Sequence, residues 1–316
     1  MSRVLRLAGL RSSEAHDSLG RLLSRLASRG HTKLAARIFA AKGVTLKKPF
    51  VDVVGARYGA RPHGLLGPPR EDVKAINAWV EERTEGRVTG LLDDLPLEAR
   101  LVLVSAVHYR GEWEVKFDAE ATKLQSFHLD ESNSTHVTMM HQREYPVWVG
   151  RHPQLPCMAL KVPFKGNGSL VLFLPDGRSP SNLSSVVDSL TPSLISGLLE
   201  GGGLSKRSIT LVMPRMDLVV DRDLKRPLEA MGLQELFESP DLSELSTASL
   251  RVSAVIHKAA IRLDEVGAIA AAATALTMAR SGAEQIRVDR PFVFVIVDDE
   301  TGAFLFLGQV LNPLSG

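Results

Sequence analysis

The chain has 316 residues, 44% of them hydrophobic and 23% charged, with 38 Lys/Arg nearly balanced by 36 Asp/Glu. This is a globular composition, long enough to bury a sizeable core, and it excludes disordered, collagen-like and disulfide-stapled classes. A single cysteine, Cys157, allows neither an internal disulfide nor a cysteine-built zinc site, and no run of about 18 apolar residues is present to cross a bilayer as a helix.

The near-neutral total conceals an asymmetry. Residues 1–48 hold 11 Lys/Arg against Glu14 and Asp17, leaving 27 basic and 34 acidic residues for the rest. Arg3 and Arg6 interrupt Val4, Leu5 and Leu7, so the start lacks the apolar core of a secretory signal. Its Arg- and Ser-rich, acid-poor make-up also fits a mitochondrial presequence. Three sequons point the other way, toward secretion: Asn133-Ser134-Thr135, Asn167-Gly168-Ser169 and Asn182-Leu183-Ser184.

In chain order, Leu19, Leu22, Leu23 and Leu26 form an i, i+3, i+4, i+7 stripe that predicts an amphipathic helix ending at Gly30. An apolar stretch over 34–41 follows, then a turn at Gly43 and a helical pattern on Phe50, Val53, Val54 and Tyr58. Pro62, Gly64, Gly67, Pro68 and Pro69 mark an exposed connection. A helix is predicted over 71–85 from Val73, Ile76, Trp79 and Val80, with Gly86 as its stop. Residues 101–109 read as a strand covered on both faces. Short strands are expected over 158–164, 169–174, 209–213, 252–263 and 292–297, with helices near 182–200 and 221–232. The last strand pair, FVFVIV and AFLFLG, is joined through 298–302 as a hairpin. No 20–50-residue repeat and no long linker occurs, so pattern alone gives one mixed α+β domain.

Enzyme motifs are missing. The sequence has no Gly-x-Ser-x-Gly, no His-Glu-x-x-His and no Gly-x-Gly-x-x-Gly between a strand and a helix. The stretch 201–208, GGGLSKRS, lacks the Gly-Lys-[Ser/Thr] ending of a phosphate loop and reads as a basic loop. Nine histidines show no ligand spacing, so no metal and no cofactor is expected.

The unusual segment is 265–282, EVGAIAAAATALTMARSG. Local propensity favours an alanine-rich helix over 268–280, yet alanines offer little apolar area to bury. The alternative is a segment that changes structure. A strand entering the middle of a sheet is buried on both faces and needs small, uncharged side chains, and residues 267–279 carry no charge. Arg280, followed by Ser281 and Gly282, is a cut site of the kind trypsin-like proteases prefer.

These residues resemble the serpins. The family's reactive-loop hinge is matched by Glu265, Gly267, Ala268, Ala270, Ala271, Ala272, Ala273 and Thr274. Further likeness lies in AINAWVEERTEGRV (75–88), LVSAVHYRGEWEVKF (103–117), VIHKAAIRLDEVG (255–267) and RPFVFVIVDDETGAFLFLGQVLNP (290–313). The segments SFHLDE (126–131), GLQELFESPDL (232–242) and EVGAIAAAATALTMAR (265–280) carry a likeness to the plasmin-inhibiting subgroup.

The resemblance implies a serpin fold of mixed sheets, surrounding helices and an exposed reactive-centre loop over about 265–287. It further implies one domain over 1–316, likeness starting near residue 14 and the family's first helices absent. The expected activity is suicide inhibition of a trypsin-like serine protease, plasmin or trypsin, and not enzymatic turnover. Cleavage at Arg280-Ser281 is expected because arginine fits an acidic specificity pocket; the usual family count would put Ser281 before the cut. Ser105, Trp113 and His257 resemble the residues that hold the central sheet shut, and core packing is the competing reading for Trp113 and His257. Ser105 stands where asparagine is usual in the family. The alternatives are a non-inhibitory serpin that binds or signals, and an inactive shortened product. A monomeric, secreted, extracellular glycoprotein with no nucleic-acid or membrane partner is expected. Arg21, Arg25, Arg29, Lys33 and Arg37 offer a heparin-like polyanion site or a solvated helix face.

Overall fold

The structure, a computed structural model, describes residues 12–28, 32–265 and 284–315. In chain order the elements are α1 (Ser12–Ser28), β1 (Thr32–Ala40), α2 (Lys48–Tyr58), β2 (His63–Gly64), α3 (Pro69–Arg83), β3 (Leu101–Arg110), β4 (Asp118–His128), β5 (Ser134–Arg151), β6 (Cys157–Phe164) and β7 (Gly168–Pro175). They continue with α4 (Pro180–Ser189), α5 (Pro192–Glu200), β8 (Ser205–Pro214), β9 (Met216–Asp223), α6 (Lys225–Leu228), α7 (Glu235–Glu238), β10 (Val252–Leu263), β11 (Gln285–Arg287), β12 (Phe292–Asp298) and β13 (Phe304–Val310). The chain divides into two compact units, residues 1–110 with 219–261 and residues 111–218 with 262–316.

The first unit is built on a five-stranded sheet ordered β2-β1-β3-β10-β9. Its core joins Ala35 and Phe39 of β1, Val102, Val104 and Ala106 of β3, and Ala254, Ile256 and Ala260 of β10 to Ile76 and Val80 of α3. Proline at its first position, Glu71 and Asp72 in the first turn and Arg83 in the last complement the dipole of α3. Asn77 of α3 then clamps the following segment: its Nδ2 donates to Leu92 O at 2.8 Å and its Oδ1 accepts from Leu92 N at 2.9 Å.

Strand β3 is not buried on both faces as its dense Leu/Val content predicts. Val102, Val104 and Ala106 are buried, whereas Leu103, Ser105 and Val107 are half-buried. The leucine stripe of α1 also differs from expectation, because Leu19 is exposed. Contact with α2 is made instead at Gly20, where a Cβ would stand 2.9 Å from Arg57 O. The helix expected over 221–232 is replaced by the end of β9, the single turn α6 and a wide turn over 229–233 in which Gly232 takes φ 88°.

The second unit holds a sheet ordered β11-β8-β5-β6-β7-β12-β13, with β4 pairing β5. Strand β12 is buried at every position, and β7 at every position after its first residue. One face carries Cys157, Ala159, Val171, Phe173, Val293 and Val295 against Leu183 and Val186 of α4 and Ile195 and Leu198 of α5. The terminal hairpin forms as predicted, with Phe294 opposite Gly308. A Cβ at Gly308 would lie 2.8 Å from that ring. Burial in this core pushes the Cys157 thiol up to about 12.

Candidate functional site

The described chain reaches the unusual segment at Glu265, two residues past β10. Glu265 is buried, and Arg215, between β8 and β9, donates from Nη2 to its Oε2 at 2.6 Å. Burial works to raise the carboxyl's pKa. Its own backbone N–H, the Arg215 and Thr122 side chains and the Arg215 charge outweigh that and hold it below the ordinary carboxylate value. Glu265 is therefore an anion at neutral pH, fixed where the uncharged run begins.

Trp113 fixes the residue before it. The indole Nε1 donates to Asp264 O at 2.7 Å, and Arg262 Nε reaches the Asp264 carboxylate at 3.3 Å. The Trp113 ring stacks on Phe164 with centroids 4.7 Å apart and meets Phe117 edge-on at 5.5 Å. Gly111 makes the stack possible, since a Cβ there would stand 2.3 Å from the Phe164 ring. Trp113 and Glu265, both singled out from sequence, thus act on adjacent positions of one strand end. Arg215, Phe164 and Thr122 were not legible, because nothing in their local sequence says what they face.

Ser105 and His257 share a face of the first unit's sheet. Strands β3 and β10 are neighbours, and the core residues Val104, Ala106, Ala254 and Ile256 share one face of them. By the two-residue period, Ser105 and His257 lie on the opposite face, both half-buried. Burial lowers the pKa of His257, which favours the neutral imidazole. Ser253 Oγ of β10 also accepts from the backbone N–H of Arg100 at 2.8 Å, joining the start of β10 to the residue before β3.

Residues 266–283 lie outside the described residues, and with them Gly267, Ala268, Ala270, Ala271, Ala272, Ala273, Thr274, Arg280 and Ser281. Among the sequons, Asn133 and Asn167 are exposed on strand connections, Asn167 with φ 67°. Asn182 is half-buried in α4, where its Oδ1 accepts from Ser179 N at 3.1 Å. Of the basic candidates, Lys33 is paired with Glu85 at 2.7 Å. Arg37 lies 4.2 Å from the Trp79 ring centroid. Arg21 and Arg25 are exposed on α1, and Arg29 lies outside the described residues.

The model of the serpin family, described as serine protease inhibitor, matches residues 1–313. The chain is a serpin. The match from residue 1 corrects the expectation that likeness begins near residue 14. Bovine alpha-2-antiplasmin is 38% identical over 98% of the chain, which spans 63% of that protein's length. Human pigment epithelium-derived factor is 31% identical over 96% of the chain and is matched over 72% of its own length. The crystal structure of native protease nexin-1 with heparin superposes with a TM-score of 0.87 at 26% identity, covering 99% of this serpin and 86% of that chain. The mixed sheets with flanking helices are thus the serpin fold.

Proposed function

We propose that this serpin inhibits a trypsin-like serine protease, with plasmin as its target, by trapping it as an acyl-enzyme. The reading is of one serpin domain over 1–316 with its reactive-centre loop over about 265–287. The protease's serine Oγ attacks the carbonyl carbon of Arg280 and the bond to Ser281 breaks. The Ser281 amine takes up a proton, and the Arg280 acyl group is left as an ester on the protease. The freed segment, Gly267 through Met278, then enters the five-stranded sheet between β3 and β10 as an added strand, in the manner of the family. Deformation of the attached protease stops water from completing hydrolysis.

The observation that carries this reading is the fixed anchor at residues 264–265, held by Trp113 and Arg215, from which an uncharged, alanine-rich run leads to one arginine. A tethered start and a small-residue run suit insertion, and the arginine suits a trypsin-like pocket. Ser105 and His257, on neighbouring central strands, are the proposed controls of sheet opening. Similarity to bovine alpha-2-antiplasmin supports plasmin as target. The superposition on protease nexin-1 with heparin, together with exposed Arg21 and Arg25, supports a heparin-like polyanion as a second partner. Three sequons support an extracellular, secreted glycoprotein, with Asn133 and Asn167 the better-exposed acceptors.

Mixing the chain with plasmin and with trypsin, then running a denaturing gel, tests the proposal. A covalent band at the summed mass of residues 1–280 and the protease chain that carries the catalytic serine is expected. Cleavage after Arg280 with no such band would show a substrate and overturn it.

A further inference from the structure

We propose that Arg178 and Arg287 form an accessory docking site for an acidic surface of the protease that attacks the reactive loop. The inference rests on the proposed function and names a second contact beyond the arginine at the cut.

Three arginines converge on one carboxylate just past the loop's C-terminal side. Arg290 Nη1 lies 3.3 Å from Asp289 Oδ1, and Arg178 Nη2 and Arg287 Nε approach Oδ2 at 3.6 and 3.9 Å. Arg290 is mostly buried and also donates from Nε to Pro175 O at 2.8 Å, so its role is to hold the strand start. Arg178 and Arg287 are 44% and 36% exposed, whereas the Asp289 side chain is 11% exposed. A mostly covered carboxylate thus balances one charge of three, and the excess falls on the two half-exposed guanidiniums. Such planar donors pair readily with further carboxylates.

The positive character extends around them. The neighbouring His141 is held below its ordinary pKa by burial and then by Arg143, with Arg287 and Lys123 adding to this against Asp118. Arg287 is held by donating from Nη2 to Gln125 Oε1 at 2.6 Å.

Reach fits the role. Arg287 follows Arg280 by seven residues, at most about 25 Å of extended chain at ~3.5 Å each. A protease domain of roughly 200 residues or more has a radius near 20 Å. The patch therefore lies within the span of an enzyme seated at Arg280. Opposite charges there speed the encounter and lose their effect in salt.

The test measures the second-order rate at which plasmin and trypsin attack the loop, read either as covalent complex or as cleavage after Arg280, at about 0.05 and 0.5 M salt. The variants are Arg178→Glu with Arg287→Glu, and Arg178→Glu alone, which leaves the Gln125 bond intact. Roughly tenfold slower attack by at least one protease on the double variant at low salt, roughly threefold on the single, and a gap under about twofold at high salt are expected. Unchanged rates at low salt with both proteases would overturn the site. So would a loss seen only in a parallel series with heparin added, which would assign the patch to a polyanion. If wild type is cleaved without forming a complex yet the rates respond as stated, inhibition fails and the docking site stands. If complex forms at unchanged rates, inhibition stands and the docking site fails.

Discussion

Replacing Trp113 with phenylalanine keeps a ring to stack on Phe164 but removes the donor to Asp264 O. The loss of one buried hydrogen bond costs about 1 kcal/mol. Denaturant unfolding of Trp113→Phe is expected to show that decrease with an unchanged slope, and a neutral result would mean that the bond does not hold the strand end. His257 and His141 carry a pH dependence of known sign. Burial lowers both values from 6.5, so the unfolded chain binds more protons at these sites than the folded one. Their contribution is fully present above about pH 6.5 and is lost as pH falls through the lower folded values. The thermal midpoint should therefore drop on going from pH 7.5 to 5.5, and His257→Gln should flatten part of that drop. Glu265, Trp113 and His257 could be picked from sequence because each sits in a recognisable segment. Arg215 could not, since its partner lies 50 residues away and only folding brings them together.

Elements with strong periodicity or uninterrupted apolar runs were legible: α3, β6, β7, β10 and the β12–β13 hairpin all stand within a few residues of their predicted bounds. Strands β4, β5 and β9 were not, and for β4 and β9 the reason is physical. Strand β4, DAEATKLQSFH, and β9, MDLVVDRD, keep few residues buried, so the hydrophobic pattern that reports a strand is weak in them. Pairing in the sheet, not local burial, makes them strands. The clamp from α3 gives a direct check at this scale. Asn77→Ala leaves both polar backbone groups of Leu92 without that partner and should cost about 2 kcal/mol, measured as a lowered denaturant midpoint. For the hinge, Ala271→Glu places a charge in a run that insertion would bury. The expected outcome with trypsin is a shift from covalent complex toward free cleaved chain, and an unchanged ratio would count against insertion.

At the level of the whole molecule, the serpin fold was readable because several motifs recur in family order along the chain. The pattern of predicted elements alone reached only a mixed α+β domain. The near-neutral net charge of +2 likewise gave no hint that three arginines gather around Asp289 on one unit, because charge totals carry no geometry. The central claim is that attack on Arg280 ends in an ester and not in a free acid. Intact-mass spectrometry of the chain after reaction with trypsin reads that distinction at the atoms concerned. The predicted products under denaturing conditions are residues 281–316 as a separate peptide and residues 1–280 joined covalently to the protease through its catalytic serine. Residues 1–280 recovered free, with a carboxylate at Arg280 and active protease beside them, would contradict the claim.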